Sequence, residues 1–165
     1  MRQMLRAQTP DSQNACTALD RWLRARPTVR TLAVFSPLPG EVDLAASIDL
    51  QRDKKWVYPR VGTDLLTFHA VRDRAVDLVP GSFGILEPHH GLPAVEIEEI
   101  DVFICPGLAF DPRGGRLGRG RGFYDRILAH ARNDAFKLGI CFALQQVPDT
   151  FPEPHDVRMD EVIAG

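Results

Sequence analysis

The chain has 165 residues, 44% apolar and 25% charged, with a formal net charge of −2 at pH 7. That profile fits one globular domain over residues 1–165. It excludes a disordered chain and a small scaffold that needs disulfide or metal staples.

The charge is uneven. Residues 1–30 carry six arginines against two aspartates, an excess of +4. From Arg113 to Arg126 there are five arginines against one aspartate, again +4. Asp149, Glu153, Asp156, Asp160 and Glu161 outweigh Arg158 near the end. Two basic patches and one acidic patch suit an anionic ligand accompanied by a metal ion better than a surface coated by nucleic acid. Cys16, Cys105 and Cys141 form no CxxC pair and read as buried thiols in a reducing compartment. The opening MRQMLRAQTPDSQ has no apolar signal-peptide core, and no run of 18 apolar residues occurs. A cytoplasmic setting follows as the expectation.

In chain order, Ala15, Leu19, Trp22 and Leu23 recur at helical spacing, so 12–25 reads as a helix. TLAVF (31–35) is a buried strand, broken by Ser36-Pro-Leu-Pro-Gly40. A three-turn helix is expected over 41–51, strands over 54–59 and 65–71, and mostly loop over 72–100. DVFICP (101–106) is a strand, Phe123–Arg132 a helix, KLGICFA (137–143) a strand and DEVIA (160–164) a short last one. Continuous apolar strands alternating with helices indicate an α/β fold, a three-layer α/β/α sandwich with a mainly parallel central sheet. Ligands of such sheets bind beyond the carboxyl ends of the strands, where the loops 36–43 and 106–125 leave.

The stretch PRGGRLGRGRGFYDR (112–126) carries the strongest chemistry. Its glycines let successive amides approach an anion, and Arg116, Arg119 and Arg121 add charge-assisted bonds worth about 1.5–3 kcal/mol each. The helix from Phe123 adds its amino-terminal partial charge. Together these features resemble a triphosphate cradle. It is neither a Walker A loop, since no GK[ST] follows, nor a Rossmann fingerprint, since the spacing is GxGxG (118–122). The plain alternative is a solvated RG-rich loop with weak RNA affinity. Its position between a buried strand and an amphipathic helix argues against that, because such segments usually occupy tails.

Other residues carry two readings each. Asp125 is either a first-turn helix acid or a magnesium ligand beside phosphates, with Asp160 a possible second carboxylate. Glu41 and Asp43 are helix-start acids or acceptors for an amine-rich heterocycle. Arg2 and Arg6 share a helix face if that segment is helical, and terminal arginines are usually solvated. Arg60, after Tyr58-Pro59, could point into the crevice. His89–His90 lack a third ligand nearby, and His155–Asp156 reads as an ordered turn. Ser36, Ser47 and Ser82 lack the GxSxG context of an activated nucleophile.

LAVFSPLPGEVD (32–43), WVYPRV (56–61), PGSFGILEP (80–88), DVFICPGLAFDPRGGRLGRGRGFYDR (101–126) and EPHDVRMDEVI (153–163) together resemble the 5-formyltetrahydrofolate cyclo-ligase family, in family order. The resemblance covers most of the chain from about residue 31. It implies an ATP- and Mg²⁺-dependent closure of 5-formyltetrahydrofolate to 5,10-methenyltetrahydrofolate, releasing ADP and phosphate. The γ-phosphoryl group would pass to the formyl oxygen, and N10 would then attack the activated carbon. ATP contacts would come from Arg2, Arg6, Arg116, Leu117, Gly118, Arg119, Gly120, Arg121, Gly122, Phe123 and Tyr124. The folate would meet Ser36, Glu41, Arg60, Arg119, Gly120 and Tyr124, and the metal Asp125 and Asp160. Arg119 and Tyr124 would act in catalysis, Arg119 on the transferring phosphoryl group. Arg2 stands where the family usually has lysine, and Phe123 where it often has tyrosine. No nucleic acid, membrane or obligate protein partner is implied. The alternatives are a relative using the same cradle on another amide or folate-like substrate, and an RNA-binding module.

Overall fold

The computed structural model describes residues 11–165. Arg2 and Arg6 lie outside the described residues. Helix α1 (Gln13–Arg24) buries Ala15, Cys16, Leu19, Trp22 and Leu23, the stripe expected from their spacing. Strand β1 (Thr31–Ala33) follows, fully buried. Helix α2 (Ala45–Leu50) is shorter than the expected 41–51. The Asp43 carboxylate accepts from the Ala45 amide, and Glu41 turns back to accept from the Leu38 amide. Both acids therefore serve the turn before the helix, and the helix starts after them.

Strands β2 (Lys55–Val61) and β3 (Leu66–Ala70) come next. The stretch read as mostly loop holds short elements. These are α3 (Arg74–Asp77), a hairpin of β4 (Leu78–Pro80) and β5 (Leu86–Pro88), and edge strand β6 (Ala94–Val95). β7 (Val102–Cys105) leads into a second hairpin, β8 (Ala109–Phe110) and β9 (Arg116–Leu117). The chain closes with α4 (Phe123–Leu128), β10 (Phe136–Cys141) and β11 (Glu161–Ala164).

Seven strands form one sheet in the order β11-β10-β7-β1-β2-β3-β6. The first five are mutually parallel, and β3 and β6 add an antiparallel edge. The central strands are apolar on both faces because both are covered. Val102, Ile104, Leu138 and Ile140 pack with α1, while Phe103, Cys105 and Cys141 pack with Phe110, Ile127 and Leu128 on the other side. The α/β sandwich with a mainly parallel sheet is as expected. Among the described residues, no helix is long and apolar enough to cross a membrane.

Phe110 anchors the β8–β9 hairpin. Its ring lies so close to Gly107 and Gly139 that a Cβ on either would fall within 2.9 Å of it. The substitution Phe110→Ala is expected to cost about 3–5 kcal/mol, from lost transfer energy and the cavity it leaves. Urea unfolding monitored by Trp22 and Trp56 fluorescence measures it.

Candidate active site

The carboxyl ends of β1, β2 and β7 open into one cleft of about 730 Å³. The size suits small-molecule ligands. Its lining is of two kinds. Part is apolar: Phe35, Leu38, Pro59, Val61, Leu66 and Ile85. The rest is the glycine- and arginine-rich loop 116–126 with segment 150–156.

Asp111 holds the loop in place. It is 3% exposed and stands at the base of the hairpin. One oxygen accepts from the amides of Arg113 and Gly115, and the other from the Thr150 amide and hydroxyl. Burial works to raise the pKa of this carboxyl. The bonds from Thr150, Gly115 and Arg113 outweigh burial and hold it well below the usual carboxylate range. The next residue, Phe151, adopts φ 53° and leaves its ring exposed at the mouth of the cleft. Its amide donates to Asp149, which pairs in turn with Arg113.

The loop itself turns at Gly120 (φ 87°) and Gly122 (φ 63°), where a side chain would be strained. Helix α4 starts at once and has only six residues, not the ten expected. Its dipole is correspondingly short, so positive potential here rests mainly on guanidinium groups.

Those groups are deployed unequally. Arg116 is a wall strut: its side chain is 4% exposed and pairs with Asp125 at 3.1 Å. Its guanidinium lies 5.3 Å from the centre of the Tyr124 ring. The second Asp125 oxygen accepts from the Val157 amide at 3.1 Å, drawing the tail against the loop. Arg119 is more exposed and reaches across the cleft to Glu41 at 3.0 Å. Arg126 donates to the Arg121 and Asp64 carbonyls, and its guanidinium covers the Phe123 ring. Beneath the loop, burial pushes the Cys105 thiol up to about 12, so it offers no thiolate nucleophile at neutral pH. Burial, aided by Cys105 and Glu41, raises Tyr124 well above an ordinary phenol, and its hydroxyl remains a proton donor.

A family profile described as "5-formyltetrahydrofolate cyclo-ligase family" matches residues 2–165. The chain belongs to this family. It is 35% identical to 5-formyltetrahydrofolate cyclo-ligase of Mycolicibacterium smegmatis over 154 residues, covering 88% of this chain and 79% of the relative. The enzyme of that name from Haemophilus influenzae is 32% identical, covering 82% of this chain and 76% of the relative. The fold matches the 5,10-methenyltetrahydrofolate synthetase of Aquifex aeolicus with a TM-score of 0.80 at 29% identity, over 93% of this chain and 77% of the other. For the synthetase of Mycoplasma pneumoniae the TM-score is 0.73 at 25% identity, over 92% and 83%.

Within this cyclo-ligase fold, the residues singled out from the sequence divide into two groups. Ser36, Glu41 and the whole run from Arg116 to Asp125 line the cleft together. Arg60 does not. Val57, Pro59 and Val61 share one face of β2, and strand alternation turns Arg60 to the other, where it donates to the Pro88 and His89 carbonyls. Asp160 is also elsewhere: exposed at the start of β11, it accepts from the Lys137 amide at 2.7 Å. It therefore does not meet Asp125 in the cleft wall. Ser36 is in the wall, but its hydroxyl donates to the Leu86 carbonyl at 2.6 Å and holds β5. Segment 153–156 forms the expected ordered turn, with the Glu153 amide donating to Asp156.

Asp111, Thr150 and Glu87 escaped the sequence reading. The signal for Asp111 was present in DPRGG, an aspartate before a tight glycine turn. Its Thr150 partner, 39 residues away, was not legible. Replacing Asp111 by Asn puts a donor against donors and is expected to cost about 2–4 kcal/mol. The depressed pKa also gives a sign. In the parent, the stability from Asp111 is complete above the unfolded carboxyl pKa of about 3.9 and is lost as pH falls through the lower folded value. Denaturant titrations from pH 7 to 2.5 are expected to show a shallower acid slope for Asp111→Asn than for the parent.

Proposed function

We propose that this chain performs the reaction of its family, the ATP-dependent cyclisation of 5-formyltetrahydrofolate to 5,10-methenyltetrahydrofolate. The observation that carries the reading is one cleft with two kinds of lining. Its apolar, carboxylate-bearing lining suits a flat amine-rich heterocycle, and its Gly-Arg loop suits a triphosphate.

The chemistry needs positioning and charge stabilisation more than a protein nucleophile. An amide oxygen leaves poorly, and a phosphate leaves well. The formyl oxygen attacks the γ-phosphorus, the bond to the ADP oxygen breaks, and ADP departs. N10 attacks the activated formyl carbon and loses its proton. The C–O bond then breaks, and phosphate leaves with the electron pair. Both Cys105 and Cys141 have thiol pKa values pushed up to about 12 by burial, in keeping with a route that uses neither.

In this reading the amides from Leu117 to Phe123 bind the phosphates, with Arg119 and Arg121 adding charge. Arg119 leaves Glu41 for the transferring phosphoryl group as ATP enters, and Glu41 is freed toward the folate. Tyr124 donates its hydroxyl to the substrate, and Arg116 keeps Tyr124 and Asp125 in register.

Mg²⁺ fits as an ion carried mainly by the phosphates. Among the described residues no cluster of three or more ligating side chains stands ready for a metal. Asp125 accepts one hydrogen bond on each oxygen from Arg116 and Val157, and a carboxylate with two donors keeps further lone pairs. One or two carboxylates with phosphate oxygens and water make an ordinary Mg²⁺ shell. Bound there, the ion would neutralise charge on the β- and γ-phosphates.

The test is direct. The chain with ATP, Mg²⁺ and 5-formyltetrahydrofolate is expected to generate the methenyl-folate absorbance with stoichiometric ADP. Bound ATP without the chromophore would instead indicate a different acceptor. The substitution Arg119→Ala is expected to lower kcat about 10²- to 10³-fold, because a charge that stabilises the transferring group is lost. Its thermal midpoint should fall only modestly: the buried Glu41 carboxylate loses its cation but keeps the Leu38 amide on its other oxygen. Unchanged kcat removes Arg119 from the reaction.

A further inference from the structure

A second carboxylate belongs to the apolar part of the cleft. Glu87, in the middle of β5, is 8% exposed and lines the cavity. One oxygen, Oε1, meets the Val61 amide at 3.4 Å, the outer edge of hydrogen-bond range. Among the described residues no donor reaches Oε2, and no cation pairs with the group. This sets it apart from Glu41 and Asp125, whose oxygens are taken by an arginine and a backbone amide. Burial of a carboxylate is costly unless donors reach it. Val61, Leu66, Ile85 and Pro59 line the same cavity and donate nothing from their side chains.

An acceptor pair set in an apolar wall selects a ligand edge with two adjacent N–H donors. The 2-amino-4-oxo pyrimidine ring of a pterin has such an edge: the 2-amino group and N3–H point the same way. Adenine does not. Its N6 amino group lies beside N1, whose lone pair would face a carboxylate oxygen. The same group that attracts one heterocycle therefore repels the other. We propose that Glu87 accepts from the 2-amino and N3–H groups of the pterin and decides which of the two substrates occupies the apolar part. The inference rests on the folate reading above and assigns that reading's specificity to one residue.

Glu87→Gln keeps an oxygen for the Val61 amide but replaces one acceptor by a donor. Calorimetric titration without ATP compares 5-formyltetrahydrofolate with its 2-deamino-2-oxo analogue, and steady-state kinetics follow both substrates. The parent should prefer the 2-amino compound at least about tenfold, as expected for a site built around buried acceptors. In Glu87→Gln the preference should vanish. KM for 5-formyltetrahydrofolate should rise about tenfold or more, with KM for ATP and the thermal midpoint unchanged. Gly81→Ala supplies an independent displacement: its Cβ would lie 2.5–2.6 Å from Glu87 Cδ, Cγ and Oε2, pushing the carboxylate aside without altering charge. It should weaken the same preference, and it decides the matter if Glu87→Gln does not fold. A folded variant that retains the preference, or one that loses ATP affinity equally, overturns the role of Glu87. If the parent itself neither binds nor converts 5-formyltetrahydrofolate, it is the folate reading that fails.

Discussion

The cleft depends on one buried carboxylate. Asp111 accepts four hydrogen bonds from two stretches of chain: the turn that opens the glycine-rich loop, and the segment ending at Phe151, whose Thr150 is 39 residues from Asp111. A flexible, glycine-dense loop cannot hold its own position, because each glycine loses more backbone entropy on ordering than any other residue. Asp111 offsets part of that loss at the base of the loop, and Phe110 beside it fastens the hairpin to the sheet. Past these two anchors the chain from Gly118 to Gly122 turns on three glycines, two of them at positive φ. The site therefore joins a rigid base to a compliant rim. Such a construction suits a loop that has to admit a nucleotide and close on it.

Charge in the loop is organised in the same way. Arg116 and Asp125 form a pair that is almost wholly enclosed, and removing either partner would strand the other in low dielectric. That pair is structural. In the Arg119–Glu41 pair only the carboxylate is buried; the guanidinium is 35% exposed, so on the proposed function a triphosphate can compete for it. Identical residue types three positions apart thus serve different ends, and burial decides which. For the same reason the arginine count of the loop overstates the positive charge available to a ligand.

The sequence made the central architecture legible because strands covered on both faces are apolar without interruption. Each central strand fell close to the expected position, while helices α2 and α4 came out shorter than expected. The 72–100 region read poorly since its elements are three or four residues long and carry prolines and glycines that signal loops. Among the candidate site residues, the run from Arg116 to Asp125 was legible from composition and spacing. Arg60 was misplaced by one position of strand alternation, a distinction that a two-residue period fixes only once the facing sheet is known. Glu87 left no signal of its own. A glutamate before a proline is ordinary, and only the β4–β5 hairpin turns it inward beside Gly81.

The antiparallel edge explains why such a group can exist. In the parallel core, every strand end opens toward the same loops, and those loops already carry the proposed phosphate cradle. Reaching around a second, flat ligand requires a wall that does not come from a strand-to-helix turn. The β4–β5 hairpin supplies it, held to the β1 loop by Ser36 and to β2 by Arg60 and Glu87. Arg60 forms no ion pair with a carboxylate of this wall; its Nε and one Nη donate to the Pro88 and His89 carbonyls. Glu87 is therefore left without a cation on the very element that faces the apolar part. The hairpin that interrupts the regular α/β pattern is the part of the fold best placed to distinguish one heterocycle from another.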